Sequence, residues 1–236
     1  MNAEIEAHIR RLWRHRGTTL PTPRRGPRQQ LDLDEILDAA VTLADTEGLT
    51  AVSTRAVAAR FGKTAMALYP YVGSKEQLLA LMQDHASAPP PTWPELEDAL
   101  AGSLSAWAFA FFDLHVTHPW LTELPLARSS QGPHERDWME RLQTILTLTG
   151  TPPASRSPTT TMLYAVVRAC AESDTTLRRT TTDEAEAWRA QQSAIPDLAT
   201  RYPHTAALPP IATDWREAPR AGLQAAVDLL ATALRS

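Results

Sequence analysis

The sequence predicts an all-α protein, and three observations lead to this prediction. Apolar residues in most stretches recur at intervals of three and four, which is the spacing of one buried helix face. Residues suited to capping a helix N-terminus stand ahead of several of these stretches, Asp32 and Ser74 among them. No credible run alternates apolar and polar residues as a half-buried strand does. We therefore expect helices separated by breaks rich in proline and glycine.

The composition limits the class of protein. A length of 236 residues and an apolar fraction of 43% allow one large domain or two small ones with a real core. No apolar run reaches the roughly 18 residues that a bilayer span needs, and the first residues lack the apolar stretch of a secretory signal. Cys170 is the single cysteine, so neither an intrachain disulfide nor a paired-cysteine metal site is expected. These features predict a cytoplasmic protein without a membrane partner.

Charge is unevenly distributed, although the net charge is only −4. Residues 1–30 contain seven arginines and two glutamates, a local net charge of +5. Residues 88–236 contain 12 basic and 17 acidic residues, a local net charge of −5. A basic N-terminal segment followed by an acidic C-terminal part is typical of a protein that contacts a polyanion at one end. A basic tail without any partner explains the same distribution equally well.

Breaks in the helix signals divide the chain into three parts. Residues 1–30 are expected to form a flexible basic arm, of which the first half could be helical and residues 17–30 hold three prolines and two glycines. Residues 31–87 read as a small helical unit. The prolines of residues 88–91 then break the chain ahead of a second domain over residues 92–236.

Periodicity, caps and stop signals predict the individual helices of both units. In the first unit, Gly48, Gly62 and Pro70 act as stop signals. Its predicted helices cover 33–46, 54–60, 64–69 and 74–87. The second unit is expected to be irregular over 195–213. Its predicted helices cover 93–117, 120–124, 133–149, 158–179, 182–194 and 214–234.

The stretch 53–71 carries the first functional signal. It combines a short helix, a turn containing Gly62 and a second short helix, which is the plan of a helix-turn-helix. In such a unit the second helix lies in the major groove of DNA, while the first crosses the phosphates. The pattern by itself has many false matches, so it does not decide the function.

The longer stretch 33–82 resembles the N-terminal domain of the tetracycline-repressor (TetR/AcrR) family, with every spacing kept. The resemblance implies a three-helix, helix-turn-helix DNA-binding domain followed by an α-helical domain for ligand binding and dimerisation. It also implies double-stranded operator DNA as a partner. The matching segments are 36–40, 44–49, 52–58, 61–62, 67–69, 71–72 and 74–79.

The resemblance assigns DNA contacts to the positions that match the family. Thr54 and Arg55 open the second helix, where the family contacts phosphate and sometimes a base, and arginine there can pair with a guanine edge. Lys75 begins the fourth helix, where the family uses a lysine with the helix N-terminus to hold a phosphate. The further positions that the match implies are Lys63, Thr64, Ala65, Met66, Ala67, Tyr69 and Tyr71.

The helix that is predicted to face the major groove, residues 64–69, differs from a typical surface for recognising base sequence. Apart from Thr64 it offers few hydrogen-bonding side chains near its start, although Ala65 and Met66 can contact thymine methyl groups. Lys63 stands where the family usually has a β-branched core residue, and Pro70 replaces a residue that often contacts DNA. Specificity is therefore expected from elsewhere, and a basic arm can enter the minor groove, although a solvated linker is the alternative. The candidate arm residues are Arg24, Arg25 and Arg28.

The second domain resembles the C-terminal domain of the same family at residues 118–121, 132–133 and 138–140. The resemblance implies that this domain binds a small effector and forms a homodimer through its two last long helices, at about 158–179 and 214–235. Small residues on one stripe of the last helix favour such close helix packing. An ordinary intramolecular core face is the alternative.

An aromatic stripe on the helix that starts at Trp93 predicts an apolar centre, which in this architecture is usually also a pocket. We expect a small, largely apolar effector with a few polar anchors, and no cofactor. The predicted lining consists of Trp107, Phe111, His115, His118, Trp138, Leu142, Met162 and Val166.

Other functions receive less support from the sequence. His115 and His118 are three residues apart, but Pro119 disturbs their geometry, so a polar lining is expected rather than a metal site. Cys170 is expected to be a buried small residue rather than a redox thiol. No hydrolase, metalloprotease or nucleotide-binding motif is present, so the chain is not expected to be an enzyme. The alternative to a ligand-released repressor is a non-inducible regulator, or an activator, with a closed C-terminal core.

Overall fold

The computed structural model describes residues 3–17, 31–93, 100–125, 129–209, 211–212 and 214–234. Helices supply all the regular structure in this part of the chain, and no strand occurs in it, so the all-α prediction is confirmed. Short 3-10 segments, Leu49–Ala51 and Pro119–Glu123, lie between helices. The α-helices are α1 (Ala3–Leu12), α2 (Leu33–Glu47), α3 (Thr54–Arg60), α4 (Ala65–Val72), α5 (Lys75–Ala86), α6 (Leu100–Thr117), α7 (Pro133–Leu148), α8 (Pro153–Arg179), α9 (Thr182–Ser193), α10 (Leu198–Arg201), α11 (Pro203–Ala206) and α12 (Ala218–Ala233).

Helices α2 to α5 enclose the core of the N-terminal unit, and capping residues determine where they begin. The side chain of Asp32 accepts the N–H of Asp34 at 2.7 Å, and Ser53 caps α3. Ser74 and Gln77 form a reciprocal capping box at the start of α5. Apolar side chains that are completely buried in this core include Ile36, Leu37, Ala40, Val52, Val57, Ala58, Leu68, Val72, Leu78, Leu81 and Met82.

Helix α4 differs from the prediction because it continues through Pro70 to Val72. Proline lacks the N–H that would donate to the carbonyl of Met66 four residues earlier, so one helical hydrogen bond is lost. Leu68 and Val72 are both completely buried, and their burial holds the helix on either side of the proline. Gly73 ends the helix with a φ of 74°, which glycine adopts without strain.

Residues 3–17, the described part of the predicted arm, include helix α1, which the sequence allowed for the first half of the arm. Leu12, at the end of α1, is only 1% exposed and belongs to the core of the N-terminal unit. Arg14 forms an ion pair with Asp34. The indole Nε1 of Trp13 donates to the carbonyl of Gln131 at 3.1 Å. These contacts were not predicted, because they join residues far apart in sequence, which a local pattern does not reveal.

Helices α6, α8 and α12 pack on one another at the centre of the C-terminal domain, and α7 packs against α6 and α8. Helix α8 begins earlier than predicted and passes through Pro158. Ala154, whose carbonyl loses its helical donor at the proline, is exposed, so water can hydrate that carbonyl. Two helical turns, α10 and α11, lie within residues 195–213, for which no regular structure was predicted. Completely buried core residues include Leu104, Trp107, Phe112, Leu142, Leu163, Val167, Leu223 and Val227.

The two units meet around the 3-10 segment Pro119–Glu123. Trp120 and Leu121 are 1% and 4% exposed, and both pack in the core of the N-terminal unit although they follow α6. Nearby, the buried carboxylate of Asp84 on α5 accepts the backbone N–H groups of the first turn of α7. Among the residues that the structure describes, no helix combines the length and hydropathy needed to cross a bilayer.

Candidate nucleic-acid interface and ligand cavity

Polar side chains are exposed at the turn between α3 and α4 and at the starts of α3 and α5. They are Arg55, Lys63, Thr64 and Lys75. Helices α3 and α4 pack directly on each other, and α4 also contacts α5. Cationic side chains beside helix N-termini, where backbone N–H groups lack helical partners, form an arrangement suited to binding phosphate.

Helix α4 presents a largely apolar surface. Met66 is 74% exposed and Tyr69 is 44% exposed, whereas Ala65 and Ala67 are half-buried. Thr64 is the N-cap residue, yet its side chain makes no capping hydrogen bond, which leaves the hydroxyl for an external partner. This surface can contact thymine methyl groups but offers few groups that form hydrogen bonds with base edges. Thr54 and Tyr71, also predicted to contact DNA, are half-buried.

Helix α1 lies beside this surface, which the sequence reasoning missed. The guanidinium of Arg11 donates to the carbonyl of Pro70 at 3.3 Å, and the amide of Gln77 donates to Glu4 at 3.4 Å. Burial lowers the pKa of Arg11, against the opposing effect of Glu4. The apolar stripe formed by Ile5, Ile9, Leu12 and Trp13 was the available signal, because Leu12 is buried. The predicted arm residues Arg24, Arg25 and Arg28 lie outside the described residues.

A cavity of about 60 Å³ lies where the two units meet. Helices α5, α6, α7 and α8 all contribute to its wall, together with residues at and after the 3-10 segment. Both units therefore surround the same space. The lining residues are Gln83, Ser87, Phe111, His115, Leu121, Pro125, Glu135, Trp138, Tyr164 and Arg168.

The predicted lining residues fall into three groups. Phe111, His115 and Trp138 line the cavity. Trp107 and Leu142 are completely buried in the core of the C-terminal domain, and half-buried Val166 packs against that core. These three residues lie outside the cavity wall, although Trp107 reaches it indirectly, since its ring centroid is 5.9 Å from that of Trp138.

His118 and Met162 lie away from this cavity. His118 does not line the cavity, because Pro119 begins a new turn there and the imidazole Nδ1 lies 2.9 Å from the carboxylate of Asp45 on α2. Met162 is 49% exposed. The buried row of α8 in this region contains Leu163, Val167 and Ala171, which lie on a different face of the helix from Met162.

Burial shifts the pKa values of three groups that line the cavity, His115, Tyr164 and Arg168. His115 is 4% exposed, and burial lowers its pKa to about 4, while its hydrogen bond to Phe111 acts in the opposite direction. Burial also raises the pKa of Tyr164 far above its usual value, with a contribution from Glu135. The pKa of Arg168 is lowered by burial, although Glu172 opposes the shift. Near neutral pH the cavity therefore has a neutral imidazole and a protonated phenol.

Several lining residues were not predicted from the sequence. Tyr164 and Arg168 lie one turn apart on α8, and Glu135 opens α7. Tyr164 was detectable as an aromatic residue on a core helix. Arg168 and Glu135 were not, since charged residues on a helix normally indicate a solvated face. In the described part of the chain, no three His, Cys, Asp or Glu side chains are grouped to hold a metal ion.

Comparison with known proteins shows similarity to bacterial regulatory proteins. The family described as "Bacterial regulatory proteins, tetR family" matches residues 36–82, which include α3 and α4. A repressor from Streptomyces coeruleorubidus, the HTH-type transcriptional repressor DrrR1, is 36% identical over 214 residues. That similarity covers 88% of this chain and 78% of the relative.

Solved structures share the fold over most of the chain. The Streptomyces coelicolor TetR family protein ActR in complex with (S)-DNPA is 23% identical, with a TM-score of 0.71 over 86% of this chain and 96% of that chain. ActR in complex with actinorhodin gives the same TM-score and identity over 87% and 95% of the two chains. Mycobacterium smegmatis BioQ, 22% identical, has a TM-score of 0.60 over 86% and 99%. At these identities the similarity concerns the fold.

Proposed function

Since the chain belongs to the TetR family of bacterial regulatory proteins, we propose that it is a transcriptional repressor whose affinity for DNA is controlled by an effector. It binds operator DNA as a homodimer, and a small, largely apolar effector releases it. The observation that carries this proposal is the cavity shared by the DNA-binding unit and the second domain. The relative that is 36% identical is itself a transcriptional repressor.

The DNA-binding surface consists of α3, α4 and the start of α5 in this proposal. Arg55 and Lys75, both exposed, hold phosphates, with Thr54, Lys63, Tyr69 and Tyr71 as further contacts to the DNA backbone. The residues of α4 that face the groove are Thr64, Ala65, Met66 and Ala67. The arginines of the arm, Arg24, Arg25 and Arg28, add contacts in the adjacent minor groove.

Effector binding and DNA binding are linked through the cavity wall. Gln83 on α5 and Ser87, the residue that follows α5, belong to the DNA-binding unit, and Leu121 packs in the core of that unit. A ligand that enlarges the cavity therefore displaces residues of the DNA-binding unit directly. Only a guest that binds one arrangement of the two units better than the other can shift the equilibrium between them. ActR, which has a similar fold, has been crystallised with small molecules.

The homodimer forms through α8 and α12, which lie side by side. Their outer surfaces expose apolar side chains that a monomer would leave in water: Leu229 is 72% exposed and Met162 is 49% exposed. Ala165, Ala169 and Ala225 are also exposed on these helices and allow close approach of a partner helix. Two DNA-binding units related by a two-fold axis then match two half-sites.

We assign DNA binding to residues 31–87 and effector binding with dimerisation to residues 92–236. The protein acts in the cytoplasm, where bacterial operators are. One observation favours a second candidate, a regulator with a closed core: the cavity of about 60 Å³ is smaller than the roughly 150 Å³ that accommodates benzene. In that case no small molecule weakens operator binding.

The experiment is selection of DNA from a random library by the full chain, followed by footprinting of the selected sequence. We expect a two-fold symmetric protected region that survives about 150 mM salt in the presence of competitor DNA. Absence of any sequence preference would overturn the proposal. A panel of aromatic compounds added to the complex then separates the effector-controlled repressor from the closed regulator.

A further inference from the structure

The polar groups around the cavity divide into those that already have partners and those that do not. Nε1 of Trp138 donates to the carbonyl of Ser87 at 2.8 Å. Glu135 accepts hydrogen bonds from both the N–H and the hydroxyl of Ser130 at 2.6 Å. The guanidinium of Arg168 donates to the carbonyls of residues 122 and 124. These groups hold the wall together, so they are poor candidates for holding a guest.

Tyr164 is different, because its hydroxyl is buried and has no hydrogen-bond partner. Burial raises the pKa of this phenol, so the hydroxyl keeps its proton near neutral pH. A buried hydroxyl without a partner is uncommon in native proteins, since it loses its hydrogen bonds to water without replacement. The lining of the cavity therefore includes a buried donor for which the chain supplies no acceptor.

His115 provides the complementary group. Its Nδ1 lies 2.8 Å from the carbonyl of Phe111, and because a carbonyl can only accept, Nδ1 carries the proton. The low pKa of the ring keeps it neutral near pH 7. The second ring nitrogen, Nε2, then has a lone pair and acts as an acceptor. The cavity wall thus holds an unused donor on α8 and an acceptor on α6.

Aromatic rings surround both groups. The ring centroid of Phe111 is 4.5 Å from that of His115, 4.9 Å from that of Tyr164 and 5.0 Å from that of Trp138. These rings meet edge-on or tilted, which is the arrangement that aromatic groups favour. A flat aromatic guest can extend the cluster with the same geometry.

We infer that the effector is a neutral aromatic molecule that carries a hydroxyl group. Its ring packs against Phe111 and Trp138, and its hydroxyl donates to Nε2 of His115. The oxygen of that hydroxyl, or a carbonyl next to it, accepts from Tyr164. The molecule is neutral because Glu135 and Arg168 contribute one charge of each sign and both are already bound to the chain. The inference rests on the proposed function of the cavity as the effector site.

Entry of such a molecule requires the wall to move. The cavity of about 60 Å³ is too small for an aromatic ring, which needs roughly 150 Å³. Gln83, Ser87 and Leu121 are the lining residues that belong to the DNA-binding unit or pack in its core, so widening the cavity at these residues displaces that unit.

The test is isothermal titration of the full-length protein with three probes of similar size. They are 2-naphthol, its methyl ether, which lacks the donated proton, and 2-naphthoate, which is an anion. We expect 2-naphthol to bind about tenfold more tightly than the ether, as one hydrogen bond in a buried site provides. Equal affinity for naphthol and ether, preference for naphthoate, or absence of binding by all three would each overturn the inference.

Variants assign the effect to named atoms. Tyr164→Phe removes one hydroxyl and should weaken naphthol binding by about tenfold, whereas Tyr202→Phe, at an exposed tyrosine, should leave it unchanged. His115→Leu should abolish the preference for naphthol over the ether. Thermal unfolding of each variant shows that it is folded. Operator binding is measured separately, so a protein that binds naphthol but no operator would contradict the proposed function and not the ligand class.

Discussion

The imidazole Nδ1 of His118 lies 2.9 Å from Oδ1 of Asp45, which joins the turn after α6 to helix α2. The indole Nε1 of Trp120 donates to the same oxygen at 2.8 Å, from a side chain that is 1% exposed. The carboxylate of Asp45 in the N-terminal unit therefore contacts two side chains of the second domain, His118 and Trp120. The histidine that the sequence placed in the ligand pocket instead fastens that domain to the DNA-binding unit.

Asp45→Ala should lower the free energy of unfolding by about 1–3 kcal/mol, because it leaves the buried indole N–H of Trp120 without an acceptor. Chemical denaturation followed by circular dichroism measures the change. Glu47→Ala is the control on the same helix. It removes an ion pair with Arg60 between side chains that are about half exposed, and should cost less than about 1 kcal/mol. Equal losses for the two variants would argue against the role given to Asp45.

Arg55→Ala and Lys75→Ala should each weaken operator binding, and should do so for all sequences by a similar factor. Each removes one contact to phosphate, so the slope of log affinity against log salt should fall by about 1. Fluorescence anisotropy at several salt concentrations provides both quantities. Arg189→Ala, on exposed α9, is the matched control and should retain the wild-type slope. Unchanged slopes for both test variants would remove these contacts from the proposed interface.

Leu229→Arg should convert the dimer into a monomer, because it places a charge in the apolar surface assigned to the dimer interface. Sedimentation velocity measures the mass, and operator affinity should fall as the second half-site is lost. Leu208→Arg changes a leucine that is equally exposed, at 71% against 72%, but lies outside α8 and α12. A dimer that persists in Leu229→Arg, or one that is lost in Leu208→Arg, would place the interface elsewhere.

His115 should make the protein less stable in acid. Its pKa is about 4 in the folded chain, against an ordinary 6.5. Between these values the unfolded chain binds a proton that the folded chain does not, so the free energy of unfolding falls as the pH drops through this window. The expected loss is roughly 2–3 kcal/mol. His115→Leu should remove this part of the pH dependence, whereas His204→Leu, at an exposed histidine, should not. Denaturation curves between pH 4 and pH 7, with parallel trends for wild type and His115→Leu, would contradict the assignment.

The parts of the fold that were predictable depend on local signals. Helix α2 was predicted to begin at Leu33 and does so, because Asp32 caps it. The residues against which Leu12 packs and the contact between Trp13 and Gln131 were not predictable, since these partners come from distant parts of the chain. Met162 shows a second limit. Periodicity identifies residues that share a helix face, but α8 has neighbours on more than one side, and periodicity does not tell which face each neighbour covers.

The ion pair between Arg14 and Asp34 closes a loop of the chain at its base. The pair joins residues that stand 20 positions apart in sequence, so it fixes the segment after α1 to the first turn of α2. Removing the carboxylate of Asp34 would therefore release one attachment of the N-terminal segment to the helices that follow it.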